Sequence, residues 1–261
     1  MAWTRLYEEA EPQLVNRWLA QNGVCSRREA EGLITRGLVS IDGETVEDVG
    51  RKILPGQTLT LSDTAQTLLE SGLTVMINKP AGIVSSQPER DQIPAVRFLT
   101  RENLWGESAA IPGFGAHLAP VGRLDMDSRG LLVLSEDGVV AKAVIGPASE
   151  LEKEYLVVVH GEITEKKLTT LRYGLQLDGR QLKPAKVSLV GQGGQKLRFI
   201  LKEGRNRQIR RMCELVGLDV VDLQRIRIGS LRLGDLPEGR WRPLTADERS
   251  SLLKASVPPA I

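Results

Sequence analysis

Val121-Gly122-Arg123-Leu124-Asp125-Met126-Asp127-Ser128-Arg129-Gly130-Leu131-Leu132-Val133-Leu134-Ser135 changes character half-way along. Its first half is polar, as a loop is. Its second half is a short apolar run bounded by Gly130 and Ser135, the length and composition of a buried strand. A loop feeding such a strand holds Asp125 at the rim of a rigid sheet, where a nucleophilic or acid–base carboxylate needs to sit. A turn aspartate ahead of a strand is the plain alternative, and spacing alone leaves both open.

Around this stretch the pattern is of repeated short strands, at Thr74–Asn78, Tyr155–His160, Val187–Val190, Leu197–Leu201, Leu223–Ile228 and Ser230–Leu233. Helical periodicity appears at 164–173, 207–216 and 246–254, without regular strand–helix–strand alternation, so residues 73–255 are expected to form an α+β domain. Upstream, 12–62 reads as a separate small unit of two helices, 13–22 and 26–36, followed by strands. Ser26 with Glu29 three residues later is a capping-box signature, and Asp42-Gly43 is a hairpin turn signal. The polar stretch 63–72 is expected to be a linker, with Leu68 and Leu69 as anchors.

The 261 residues, 41% hydrophobic and 26% charged, describe an ordinary globular chain. No apolar run reaches the roughly 18–20 residues that span a bilayer, and the acidic N-terminus is unlike a secretory signal, so no membrane partner and a cytoplasmic address are expected. Cys25 and Cys213, with only two histidines, give no metal-ligand spacing and read as reduced thiols. A net charge of +2 is too small to announce a nucleic-acid partner, but its distribution is uneven: 201–242 holds ten Lys/Arg against six Asp/Glu.

Three further groups carry chemistry. Tyr155, entering the strand after Lys153-Glu154, offers a ring to stack on a base and a phenol to move a proton, although a lone strand tyrosine is more often core. In Glu203-Gly204-Arg205-Asn206-Arg207-Gln208-Ile209-Arg210-Arg211-Met212, positions 207, 210 and 211 are expected to share one face beside a helix N-terminus, a place suited to phosphate or carboxylate. In the small unit Arg17, Arg27, Arg28 and Arg36 outnumber Glu29 and Glu31 and fit phosphate contact or a solvated face equally well.

Together these motifs resemble the pseudouridine synthases that modify ribosomal RNA, the class typified by small-subunit synthase A. Val15-Asn16-Arg17-Trp18-Leu19-Ala20, Cys25-Ser26-Arg27-Arg28-Glu29-Ala30 and Gly37-Leu38-Val39-Ser40-Ile41-Asp42-Gly43 resemble an S4 RNA-binding domain. Asn78-Lys79-Pro80-Ala81-Gly82 is similar to the family's first strand and turn, Gly122-Arg123-Leu124-Asp125 with Ser128 to its aspartate motif, and Asn206–Met212 to its arginine motif. Gly82-Ile83-Val84-Ser85, Glu89-Arg90-Asp91 and Asp125-Met126-Asp127-Ser128 draw the chain toward the large-subunit synthases of the F type. It departs from the pattern in a longer insert between Arg101 and Pro120, with Trp105, Phe114 and His117, and in lacking a basic tail after Lys254.

The resemblance implies an S4 domain joined to a mixed, mainly antiparallel sheet with the site in a central cleft. It implies that Asp125 acts on the uridine glycosidic bond, that Tyr155 stacks on the extruded base, and that Arg210 pairs with Asp125 and keeps it ionised. Arg123 then fills the gap left in the RNA or holds phosphate, with Arg205, Arg207 and Arg211 as further RNA contacts. The isomerisation involves no redox change, so neither metal nor cofactor is expected; the enzyme is expected to be a monomer acting on ribosomal RNA of the large or small subunit, or on transfer RNA. The rivals are a non-catalytic RNA-binding assembly factor and an S4-containing methyltransferase. The latter needs a nucleotide loop, and the one glycine cluster, Gly191-Gln192-Gly193-Gly194, reads as a hairpin turn between strands.

Overall fold

The computed structural model describes residues 3–70, 72–89, 91–108, 110–112, 118–147, 149–173, 175–191 and 193–254. Arg90, Phe114, His117 and Gln192 therefore lie outside the described residues. The chain divides into two compact units, one reaching to Leu73 and including Ser135–Lys142, the other formed by Thr74–Leu134 and the chain from Ala143 on.

In the first unit the capping box closes as read. Ser26 Oγ accepts from the Glu29 amide at 3.2 Å, and Glu29 Oε2 accepts from the Ser26 amide at 2.6 Å, opening the helix Arg27–Thr35. Ala30, Leu33 and Ile34 turn inward from it, against Trp18 and Leu19 of the helix Val15–Gln21. Trp18 meets the Tyr7 and Trp3 rings edge-on at 5.5 and 6.1 Å. Asp42 and Gly43 both take positive φ, 50° and 87°, so the turn between Val39–Ile41 and Glu44–Thr45 has the handedness a tight hairpin demands. Removing the cap with Ser26→Ala is expected to cost about 1 kcal/mol, read as a lower melting temperature with unchanged far-ultraviolet circular dichroism.

Two expectations change here. Gln13–Leu14 is not helical but pairs with Lys52–Ile53, so the first helix starts at Val15. The stretch expected as a linker contains a helix, Asp63–Glu70, which buries Ala65 and packs Leu69 onto the core of this unit. Its apolar residues fall at 65, 68 and 69, a helical spacing that the polar composition disguised.

The second unit is built on one sheet whose strands lie in the order Lys186–Leu189, Lys196–Leu201, Lys153–His160, Asp219–Ile228, Arg129–Ser135, Thr74–Lys79, Trp241–Pro243. The first three pairs and the last are antiparallel, and Asp219–Ile228 runs parallel to Arg129–Ser135. Thr74–Lys79 is buried at every position and Arg129–Ser135 at all but its first. Central strands with both faces covered read as such continuous runs, while Lys196–Leu201 alternates because one of its faces meets water. The helix Gly138–Ile145 was not anticipated. Among the described residues no helix is long and apolar enough to cross a membrane.

Candidate active site

The Asp125 loop is fastened from two sides. After Lys79 the chain turns through Gly82, whose amide donates to the Met126 carbonyl at 2.7 Å. Ser85 grips Leu124 twice: its hydroxyl donates to the Leu124 carbonyl at 2.7 Å and accepts from the Leu124 amide at 2.8 Å. The Ser128 amide closes the loop on the Asp125 carbonyl at 3.1 Å. Beneath the turn, Lys79 is fully buried and donates to the carbonyls of Pro80 and Ile83, each at 2.8 Å. Burial pushes its amine down to about 8, against the opposing pull of Asp127 and Asp125.

Asp125 is thereby held with its side chain about one-third exposed on the wall of a cleft of about 680 Å³. Tyr155, nearly buried on the strand Lys153–His160, lines the same cleft, as do Arg123, Arg205, Arg207 and Arg210. Lys153 also lines it. Burial pushes the Lys153 amine down, helped by the charges of Arg225 and Lys183.

The arginine motif departs from the expected pairing. Arg210 does not reach Asp125. It donates to the Asp127 carbonyl at 2.8 Å and the Val220 carbonyl at 3.2 Å, and its Nε stands 3.3 Å from the Asp127 carboxylate, within ion-pair range but out of hydrogen-bond alignment. The cation nearest Asp125 is Arg207, at 4.0 Å, which also makes a two-pronged bond to Asp127 at 2.9 and 3.1 Å. The cause is local. Arg207 precedes the helix Gln208–Leu215 in left-handed conformation, φ 47°, which costs a non-glycine residue about 1–2 kcal/mol and turns the side chain out of the helical row.

Nor do the three arginines form one open face. Arg211 makes a two-pronged bond to Asp178 at 2.6 and 2.9 Å, so each of the three guanidiniums has a carboxylate partner. Arg205 donates to the carbonyls of Leu177, Arg180 and Gln181 and so braces the hairpin at 176–181. Asp127 is pushed up by burial, but the hydrogen bond from Arg207 and the charges of Arg210 and Arg207 outweigh this and hold it below its usual value. A carboxylate with a depressed folded pKa contributes above its ordinary value of about 3.9 and loses that contribution only as pH falls through the lowered one, so the Arg207–Asp127 contact is intact at neutral pH. In the first unit Arg17, Arg27, Arg28 and Arg36 are all exposed.

Sequence reasoning missed Arg225. It is 3% exposed, lines the cleft, and lies opposite Tyr155 in the register of the two strands. Its Nε donates to the Leu131 carbonyl at 2.7 Å and its Nη1 to the Arg123 carbonyl at 3.4 Å, tying the strand to both ends of the Asp125 loop. A signal was present: Leu223 and Arg225 share one side of a strand, so an inward-facing arginine was legible in the alternation.

A family model described as RNA pseudouridylate synthase matches residues 74–215, spanning every cleft residue named so far except Arg225. The chain belongs to that family. A model of the S4 domain matches residues 15–59 of the synthase. The synthase is 34% identical over 242 residues to the dual-specificity RNA pseudouridine synthase RluF of Escherichia coli strain K12, covering 92% of this chain and 78% of that one. It is 32% identical over 243 residues to an RNA pseudouridine synthase of Aquifex aeolicus, covering 92% and 94% of the two chains. A crystal structure of a pseudouridylate synthase aligns with TM-score 0.63 at 28% identity, covering 91% of this chain and 98% of that one.

Proposed function

We infer that the synthase isomerises a uridine of large-subunit ribosomal RNA, with Asp125 as the reacting carboxylate, Tyr155 against the extruded base and Arg207 and Arg210 around them. The observation that carries this is a carboxylate fastened by Ser85 and Gly82 on the wall of a cationic cleft shared with Tyr155. The target nucleotide leaves its stack at a cost of a few kcal/mol, repaid by stacking and hydrogen bonds in the cleft. As the C1′–N1 bond breaks, its electron pair stays on uracil. Asp125 either bonds to C1′ as an ester or takes a proton from C2′. After the base turns, C5 joins C1′ and Asp125 returns to a carboxylate, leaving C1′ in the ester route or giving its proton back to C2′ in the other; C5 then gives up its proton and N1 gains one. The overall change is an isomerisation, and the proposed enzyme is a cytoplasmic monomer working without metal or cofactor.

In this reading Arg207 stands next to Asp125 and faces RNA, Arg210 positions the loop through the Asp127 carbonyl, and Arg123 is exposed at the cleft. Arg17, Arg27, Arg28 and Arg36 track the RNA backbone. Arg207→Ala is expected to weaken RNA binding and reduce the slope of log affinity against log salt by about 1, whereas Arg210→Ala chiefly lowers turnover. Asp178 already neutralises Arg211, so Arg211→Ala falls below Arg207→Ala in both readouts. Equal effects from all three variants contradict this division. The dual-specificity name of the relatives supports a second RNA target. Mapping pseudouridines in ribosomal and transfer RNA from cells with and without the synthase tests the substrate. Loss at a large-subunit site supports it, and an unchanged map overturns it.

A further inference from the structure

Partly buried arginines of this sheet are matched by acids. Arg227, two residues beyond Arg225, bonds Glu154 at 2.6 Å and Glu152 at 3.2 Å, and Arg129 bonds Asp222 at 2.7 and 2.8 Å. Arg225 is the exception. It is more deeply buried than either, yet among the described residues no carboxylate lies within ion-pair distance of it, and its Nη2 is buried without a hydrogen-bond partner. A guanidinium stays ionised whatever its surroundings, and an unmet buried donor is costly. The group nonetheless lines the cleft, directly across the strands from Tyr155. A permanent cation whose Nη2 is unused, set beside the ring assigned to the base, is built for an oxygen that arrives with the substrate and gains negative charge there.

Bond breaking supplies such an oxygen. When C1′–N1 cleaves, the electron pair leaves with uracil and its charge spreads over N1, O2 and O4. At the same step the Asp125 carboxylate becomes neutral, as an ester or as an acid. One negative charge has passed from Asp125 to the base. We propose that Arg225 is a catalytic residue whose Nη2 donates to a carbonyl oxygen of the departing uracil and stabilises the uracil anion. The proposal rests on the assignment of Asp125 and Tyr155 to the base pocket, and it adds the cation that receives the charge.

The test compares single-turnover consumption of a uridine and of a 5-fluorouridine placed at the target position of a transcript that the wild-type enzyme modifies. Fluorine withdraws electrons, so the fluorinated base leaves as an anion with less help. Arg225→Gln is expected to slow the uridine substrate by about 100-fold or more, the scale of losing one donor to a developing oxyanion. RNA affinity should stay within about threefold, and the penalty should shrink at least tenfold on 5-fluorouridine. Arg225→Lys, which keeps the charge, should fall between wild type and Arg225→Gln. Equal penalties on both substrates overturn the proposal, because a merely structural arginine slows both alike. Should Arg225→Gln fail to fold, the wild-type enzyme is given 2-thiouridine or 4-thiouridine at the target, since sulfur accepts hydrogen bonds poorly. Slowing by one of them supports the contact, and wild-type rates with both overturn it. Asp125→Asn runs beside these as a control. Activity in that variant defeats the assignment of the pocket itself, whereas an inert Asp125→Asn with equal Arg225→Gln penalties defeats only the role of Arg225.

Discussion

Asp125→Asn is expected to abolish pseudouridine formation while leaving RNA affinity within about tenfold, roughly 1.4 kcal/mol. The substitution is nearly isosteric, and the loop does not depend on the Asp125 side chain: Leu124 and Met126 are held through backbone groups by Ser85 and Gly82, and Ser128 closes on the Asp125 carbonyl. What is lost is the chemistry. An amide neither captures C1′ nor removes a proton at neutral pH, and Arg207, 4.0 Å away, remains bonded to Asp127. Melting temperature, filter binding and pseudouridine detection on one preparation separate these effects. A folded, RNA-binding Asp125→Asn protein that still forms pseudouridine removes Asp125 from the mechanism.

Gly130→Ala has the largest expected effect on the fold itself. Gly130 has φ +105°, and a Cβ there would fall 2.3 Å from the Arg225 carbonyl oxygen and 2.7 Å from its amide nitrogen. Both are backbone atoms of the parallel partner strand and have no rotamer by which to yield. Overpacking and the strained φ together are expected to cost about 2–4 kcal/mol. The strands separate where Arg225 crosses behind the Asp125 loop, so turnover falls with stability. Gly179→Ala is the control: its φ is also positive, at +70°, but nothing lies within 4 Å, so the expected cost is only about 1 kcal/mol. Thermal denaturation of the two variants decides the matter, and equal losses contradict the clash.

The parts of this molecule legible in its sequence are those fixed by near neighbours. Ser26 and Glu29, three residues apart, cap the helix Arg27–Thr35, Asp42-Gly43 makes its turn with its own φ angles, and Leu131–Leu134 is apolar enough to be a buried strand in any context. The family motifs led to Asp125 and Tyr155, which share a cleft although 30 residues of chain separate them. Pairings across long loops were hidden. Nothing in the spacing of Asn206–Met212 told that Arg207, in a left-handed turn, would reach 80 residues back to Asp127 and stand nearer Asp125 than Arg210 does. Asp63–Glu70 reads as a linker because its polar residues outnumber its apolar ones, and Gly138–Ile145 escapes notice because it lacks the polar face that reveals a surface helix.

Every catalytic role assigned above requires Asp125 to meet an extruded uracil in the cleft. The most direct measurement is a crystal structure of the synthase bound to a target RNA fragment carrying 5-fluorouridine at the modified position. The base is expected outside the RNA stack and against the Tyr155 ring, with the ribose C1′ bonded to or touching the Asp125 carboxylate. A fragment bound with that base still stacked in the RNA, or with C1′ remote from Asp125, contradicts it.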